Sequence, residues 1–148
     1  MGGRMDIIQV SVFLENQAGK LSEVTNLLAD NGIDLRAINI AESSDYGILR
    51  VITSDSQKAV EILREHGFIV NATPVLVVSV PDRPGGLAHL LRMLAQENFD
   101  VEYMYSIFGQ KNGLAYMILR VDKIDEVRIV LEQDGIHTAD CTELGINS

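Results

Sequence analysis

The 148-residue sequence has no tryptophan and one cysteine, and no apolar run approaches the roughly 18 residues that a membrane helix requires. The lone Cys141 excludes an intrachain disulfide and reads as a small buried side chain rather than a nucleophile. Positive charge is also scarce. The net charge is −9, spread over both halves with no basic run, so a phosphate backbone or an anionic membrane would be repelled. Neither nucleic acid nor a membrane is therefore expected as a partner. His66, His89 and His137 are too scattered to suggest a metal, and His137 with Cys141 supplies only two ligands. Nucleophile elbow, phosphate loop and close acid pair are all missing, so neither catalytic residues nor a cofactor are expected and the chain does not read as an enzyme. No signal-peptide pattern opens the sequence, which makes the cytoplasm the expected location. Met1-Gly2-Gly3-Arg4, ahead of Met5, reads as a leader outside the fold.

What is present is period. Ile7 to Leu14 alternates as a strand does, and Leu21, Val24, Leu27 and Leu28 then share one helical face that Gly32 terminates. Two strands, Ile33–Ala41 and Gly47–Thr53, flank the polar turn Glu42–Asp45; a helix over Ser56–His66 and a strand over Phe68–Ala72 complete a βαββαβ unit. The plan then repeats: strand Val75–Val80, helix Leu87–Glu97, strands Phe99–Phe108 and Gly113–Val121, helix Asp125–Asp134 and strand Ile136–Cys141. A shift of 66 places Gly19, Leu21, Leu28, Asp34, Gly47 and Ile52 on Gly85, Leu87, Leu94, Asp100, Gly113 and Ile118. A shift of 68 then aligns Leu63 and Gly67 with Leu131 and Gly135, predicting two inserted residues near Val121–Ile124. The expected architecture is α+β: two ferredoxin-like units over residues 5–72 and 73–148, each an antiparallel sheet with both helices on one face, packed side by side and joined by Asn71-Ala72-Thr73-Pro74. That link is too short for a free tether, so the two units are expected to lie against each other or to exchange terminal strands.

Two of the three prolines fall in one turn, Val80-Pro81-Asp82-Arg83-Pro84-Gly85-Gly86-Leu87. Followed by a Leu/Ala-rich helix and by Asn98-Phe99-Asp100-Val101 at the next strand, this segment resembles an ACT domain, the small-molecule-sensing module of amino-acid metabolism. The resemblance covers nearly the whole chain as two tandem copies with no catalytic domain. The first copy, Leu14-Glu15-Asn16-Gln17-Ala18-Gly19-Lys20-Leu21, departs from the pattern in having Ala18 for the proline and Lys20 after the glycine.

The resemblance implies a regulatory protein that holds an amino acid between its two units, a homodimer, and partnership with an amino-acid biosynthetic enzyme. The chemistry of the turns agrees: free N–H groups at a helix start donate to a carboxylate, aided by the helix dipole, and glycine allows close approach. The candidate ligand residues are Asn16, Gln17, Ala18, Gly19, Lys20 and Leu21 in the first turn and Asp82, Arg83, Pro84, Gly85, Gly86 and Leu87 in the second. Asn16 and Asp82 would accept from the ammonium, and helix capping is their competing use. By the resemblance, Asp34 and Asp100 would reach in from the neighbouring unit; solvated strand-entry carboxylates are the alternative. Tyr103, Tyr105 and Tyr116 are expected to pack as a cover or interface rather than to line a ligand. The second reading of function is a dissociable regulatory subunit acting mainly by protein contact. An echo of the RNA-binding RNP1 pattern at Asn112–Leu119 lacks its leading base and two of three aromatics.

Overall fold

The computed structural model describes residues 6–15, 17–42, 45–108 and 113–147. Its elements run β1 (Ile7–Glu15), α1 (Lys20–Asp30), β2 (Leu35–Glu42), β3 (Tyr46–Thr53), α2 (Ser56–Glu65), β4 (Ile69–Pro81), α3 (Gly86–Gln96), β5 (Val101–Ser106), β6 (Leu114–Val121), α4 (Ile124–Gln133) and the short α5 (Cys141–Leu144). They form two compact units: Ile8–Thr73 with Gly145–Asn147, and Pro74–Leu144 with Asp6 and Ile7. Both carry the βαββαβ pattern of two ferredoxin-like units.

In the first unit the strand order is β2-β3-β1-β4, and β3 is antiparallel to both β1 and β2. Alternate residues Val10, Val12 and Leu14 of β1 and Leu49 and Val51 of β3 meet Val24 and Leu28 of α1 and Ala59 and Leu63 of α2 in a dry core. The second unit repeats this with Leu76, Val78 and Val80 of β4 and Leu119 and Val121 of β6 against Leu90, Leu94, Val127 and Leu131. Its order is β4-β6-β5, again antiparallel. Even the irregularity is copied: β2 slips register between Leu35 and Ala37, and β5 between the equivalent Val101 and Tyr103.

The helices stop as their sequence dictates, with Gly32, Gly67 and Gly135 at positive φ just beyond α1, α2 and α4. At the other end of α2, Asp55 accepts a hydrogen bond from the Lys58 amide at 3.1 Å, a side-chain cap. Replacing Asp55 by alanine is expected to cost about 1 kcal/mol in a denaturant titration, and retention of full stability would show that the cap contributes nothing.

Three expectations are corrected. The two inserted residues do not lie near Val121–Ile124. Val10 faces Val51 and the equivalent Leu76 faces Leu119, so the offset is already 68 in β6 and the insertion falls between β5 and β6. Tyr116 is therefore the counterpart of Ile48, not Arg50. Next, Asn71–Pro74 is not a linking loop, because the chain stays extended through it as part of the 13-residue β4. Finally, Ile136–Cys141 does not form a full strand. Only His137–Ala139 runs beside β4, through Ser79 N to His137 O (3.1 Å) and Ala139 N to Val77 O (2.8 Å). Asp140 then turns the chain into α5, its carboxylate accepting from the Glu143 amide at 2.9 Å. Beyond Gly145 the chain joins the first unit, where Asn147 N donates to Ser54 O (2.7 Å) and Arg36 Nη2 to Gly145 O (3.0 Å).

Candidate functional site

Each unit passes from its first strand to its first helix through the same turn. In the second, Arg83 N donates to Pro81 O (2.9 Å) and Gly86 N to Arg83 O (3.1 Å); in the first, Gln17 N donates to Glu15 O (2.7 Å) and Lys20 N to Gln17 O (3.3 Å). The helix caps are Gly85 and Gly19, at φ 91° and 88°, where a side chain would be strained. With the Gly86 and Lys20 amides engaged, the N–H groups left without an acceptor among the described residues include those of Gly85, Leu87 and Ala88 in the second turn and Leu21 and Ser22 in the first. Gly86 points inward. A Cβ there would lie 2.0 Å from the Pro81 carbonyl oxygen, so this glycine is spent on seating the helix against the strand.

Asp82 does not cap α3. The cap is Gly85, without a side-chain hydrogen bond, and the Asp82 carboxylate has no partner among the described residues although its amide donates to Gly113 O (2.8 Å). Asp82, Arg83, Pro84, Gly85 and Leu87 are all exposed. In the first turn Gln17, Ala18, Gly19 and Leu21 are exposed and Lys20 half-buried, while Asn16 lies outside the described residues.

Asp34 and Asp100 stand at the opposite ends of α1 and α3. An 11-residue helix is about 16 Å long at roughly 1.5 Å per residue, so neither carboxylate converges on the turn of its own unit. Asp34 forms an ion pair with Arg36, and its amide donates to Ser54 Oγ at 2.9 Å. Asp100 borders a cavity of about 180 Å³ with Asn98, Asp122 and Lys123.

The first turn opens onto a groove of about 410 Å³ lined by Glu15, Gln17, Ala18, Lys20 and Leu21 and also by Ile40, Glu42 and Gly47. Those last three were not expected from sequence. They arrive through strand pairing, since Gly47 sits opposite Leu14 on one side and Glu42 on the other. Only the hairpin register would have revealed them. The groove is lined by one base, Lys20, and two acids, Glu15 and Glu42, together with the apolar Leu14, Leu21 and Ile40. A zwitterion with a modest aliphatic part suits that mixture.

The tyrosines pack. Tyr103 and Tyr105 stack with centroids 6.5 Å apart, and Tyr116 donates to Glu143 of α5 at 3.0 Å. Burial, and then the Glu143 carboxylate, raise the Tyr116 hydroxyl above its usual value of 10.0, which keeps it a donor. Glu143 is also held by His137 Nε2 at 2.6 Å. Among the described residues no group of three or more His, Cys, Asp or Glu could hold a metal ion, and no helix is long and apolar enough to cross a membrane.

Two tandem βαββαβ units with a glycine-capped strand-to-helix turn in each define a duplicated ferredoxin-like module. The model of the ACT domain pair matches residues 5–144, and the chain belongs to that family. Among solved structures it is similar to protein BT0572 from Bacteroides thetaiotaomicron, at 40% identity over 96% of this chain and 97% of that one, with a TM-score of 0.89. The regulatory subunits of aspartate kinase from Thermus thermophilus (18% identity, 87% and 93% coverage, TM-score 0.64) and Thermus flavus (17%, 87% and 92%, 0.61) share the fold. No curated protein sequence matches the chain.

Proposed function

We propose that the protein is a non-catalytic regulatory sensor that binds an amino acid at its strand-to-helix turns, foremost at Asp82–Leu87. The observation that carries this reading is the pairing, in one exposed turn, of an unpartnered Asp82 carboxylate with the unpartnered amides of Gly85, Leu87 and Ala88. An ammonium meets the first and a carboxylate the second, at a helix end whose dipole favours the anion. Gln17–Leu21 offers the same backbone with Lys20 and Glu42 as its charges. Asp34 and Asp100, remote from the turns of their own units, take part only from a neighbouring unit, as the family resemblance implies.

Thermal shift against the twenty amino acids tests the proposal. A ligand at 100 times its dissociation constant stabilises by about 2.7 kcal/mol, and a flat response to all twenty removes the sensor reading. With the responding amino acid, Asp82→Ala should weaken binding at least tenfold, about 1.4 kcal/mol. Lower stability with unchanged affinity would mark Asp82 as structural.

A second reading, contact with an amino-acid biosynthetic enzyme or with another copy as a homodimer, is favoured by the outer strand β2, which among the described residues pairs with β3 alone and whose Ile38 and Ile40 are 38% and 48% exposed. It accords with the fold shared with aspartate kinase regulatory subunits. Co-purification of such an enzyme, together with a flat amino-acid screen, would favour it over the sensor.

A further inference from the structure

A second cavity lies in the first unit and meets the turn groove at Leu14, Glu15 and Lys20. It has a volume of about 250 Å³, and its apolar wall is Phe13, Tyr46, Phe68 and Ile69. Phe13 and Tyr46 are 37% and 46% exposed, with ring centroids 6.1 Å apart and planes tilted by 44°. Two neighbouring aromatic rings left this open expose faces that attract another ring or a cation.

The polar wall is mixed in charge. Lys20 Nζ lies 3.5 Å from Glu23, and Glu15 stands beside them. His66 completes the rim: its Nδ1 is 2.9 Å from the Ile62 carbonyl oxygen. A carbonyl only accepts, so Nδ1 carries the proton, and Nε2 has no partner among the described residues.

Duplication supplies an internal comparison. Under the offsets that the strand registers fix, Glu23 and His66 correspond to His89 and Asp134. In the second unit those two side chains meet, His89 Nε2 to Asp134 Oδ2 at 3.2 Å, and bridge the start of α3 to the end of α4. In the first unit the charge order is inverted and the pair is not bonded: Glu23 turns to Lys20, and His66 to its own helix. The aromatic wall is likewise peculiar to this copy, because Ser79, Leu114 and Ile136 stand in place of Phe13, Tyr46 and Phe68.

We infer that this cavity, which shares Leu14, Glu15 and Lys20 with the first-turn groove but adds an aromatic wall that the groove lacks, is a second small-molecule site, for an amino acid with a single aromatic ring. The ring lies against Phe13, Tyr46 and Phe68, the ammonium donates to Glu23, Glu15 and Nε2 of His66, and the carboxylate accepts from Lys20. The volume is below the roughly 300–1,000 Å³ of pockets for drug-sized ligands, which restricts the occupant to one ring.

Isothermal titration calorimetry with L-phenylalanine tests this on the whole chain. The wild-type protein is expected to bind L-phenylalanine. Phe13→Ser, which installs the residue the second unit already carries there, should weaken binding at least tenfold. The double variant Glu23→His, His66→Asp should abolish it by building the second unit's bridge across the opening. Retained melting temperatures in both variants exclude unfolding as the cause. Absence of binding heat with the wild type overturns the inference, as does affinity unchanged by Phe13→Ser and by the double variant. Asp82→Ala separates the two sites: loss of L-phenylalanine binding there, with Phe13→Ser unaffected, assigns the ligand to the turn and overturns this inference while upholding the turn site.

Discussion

Gly86→Ala is expected to lower the stability of the protein by 1–3 kcal/mol or more, the usual range for forcing atoms into packed space. The new methyl would lie 2.0 Å from the Pro81 carbonyl oxygen, a backbone atom that cannot rotate aside. The start of α3 must therefore move away from the end of β4. For a chain of this size each kcal/mol corresponds to about 2–4 °C in melting temperature, so the loss is readable in a thermal melt. The first unit provides the control, since Lys20 occupies the equivalent place and already carries a Cβ; Lys20→Ala should leave stability within about 0.5 kcal/mol. Equal losses in the two variants would refute the steric account. Because the shift displaces the Leu87 and Ala88 amides, ligand affinity at the second turn should fall with stability.

Leu119→Ala should cost 2–5 kcal/mol. Leu119 is fully buried in β6, paired in register with Leu76 and Met104 and facing the helices of its unit. Each neighbouring strand is fixed by its own hydrogen bonds, so the space left by the side chain cannot close fully. Ile129 on α4, 56% exposed, is the comparison, and its alanine variant should change stability by less than about 0.5 kcal/mol. A denaturant titration in which both variants behave alike would contradict the core assignment.

Most of the architecture was legible in the sequence because each element buries one face and so writes a period into the chain. Glycines at 32, 67 and 135 closed their helices for the same local reason that made them conspicuous. What escaped was set by contacts that period does not encode. Ile118 and Leu119 are both fully buried, so β6 is apolar on both faces, and matching Ile52 to Ile118 by identity placed it two residues out of register. Ile136–Cys141 looks like a strand until Asp140 is seen to cap a helical turn. At the turn, the position of Asp82 three residues before the glycine left capping and ligand contact both open, and Gly85 at positive φ takes the capping place itself. Ile40, Glu42 and Gly47 enter the groove only through strand pairing.

Asp6 and Gly145 each belong with residues far from them in sequence. Asp6 is held by Arg128 across 122 residues and by Cys141 across 135, and Gly145 by Arg36 across 109. During synthesis the first unit has all its strands once β4 has emerged, yet Arg36 and Ser54 wait for Gly145 and Asn147 to be translated. Asp6 and Ile7, made before the first unit, wait nearly as long for their own unit. Contacts of such sequence separation form late and fold slowly. A ribosome stalled near Pro74 therefore displays two strand ends and a β2 edge still unfinished, and a gene divided there encodes fragments that each lack a piece of themselves.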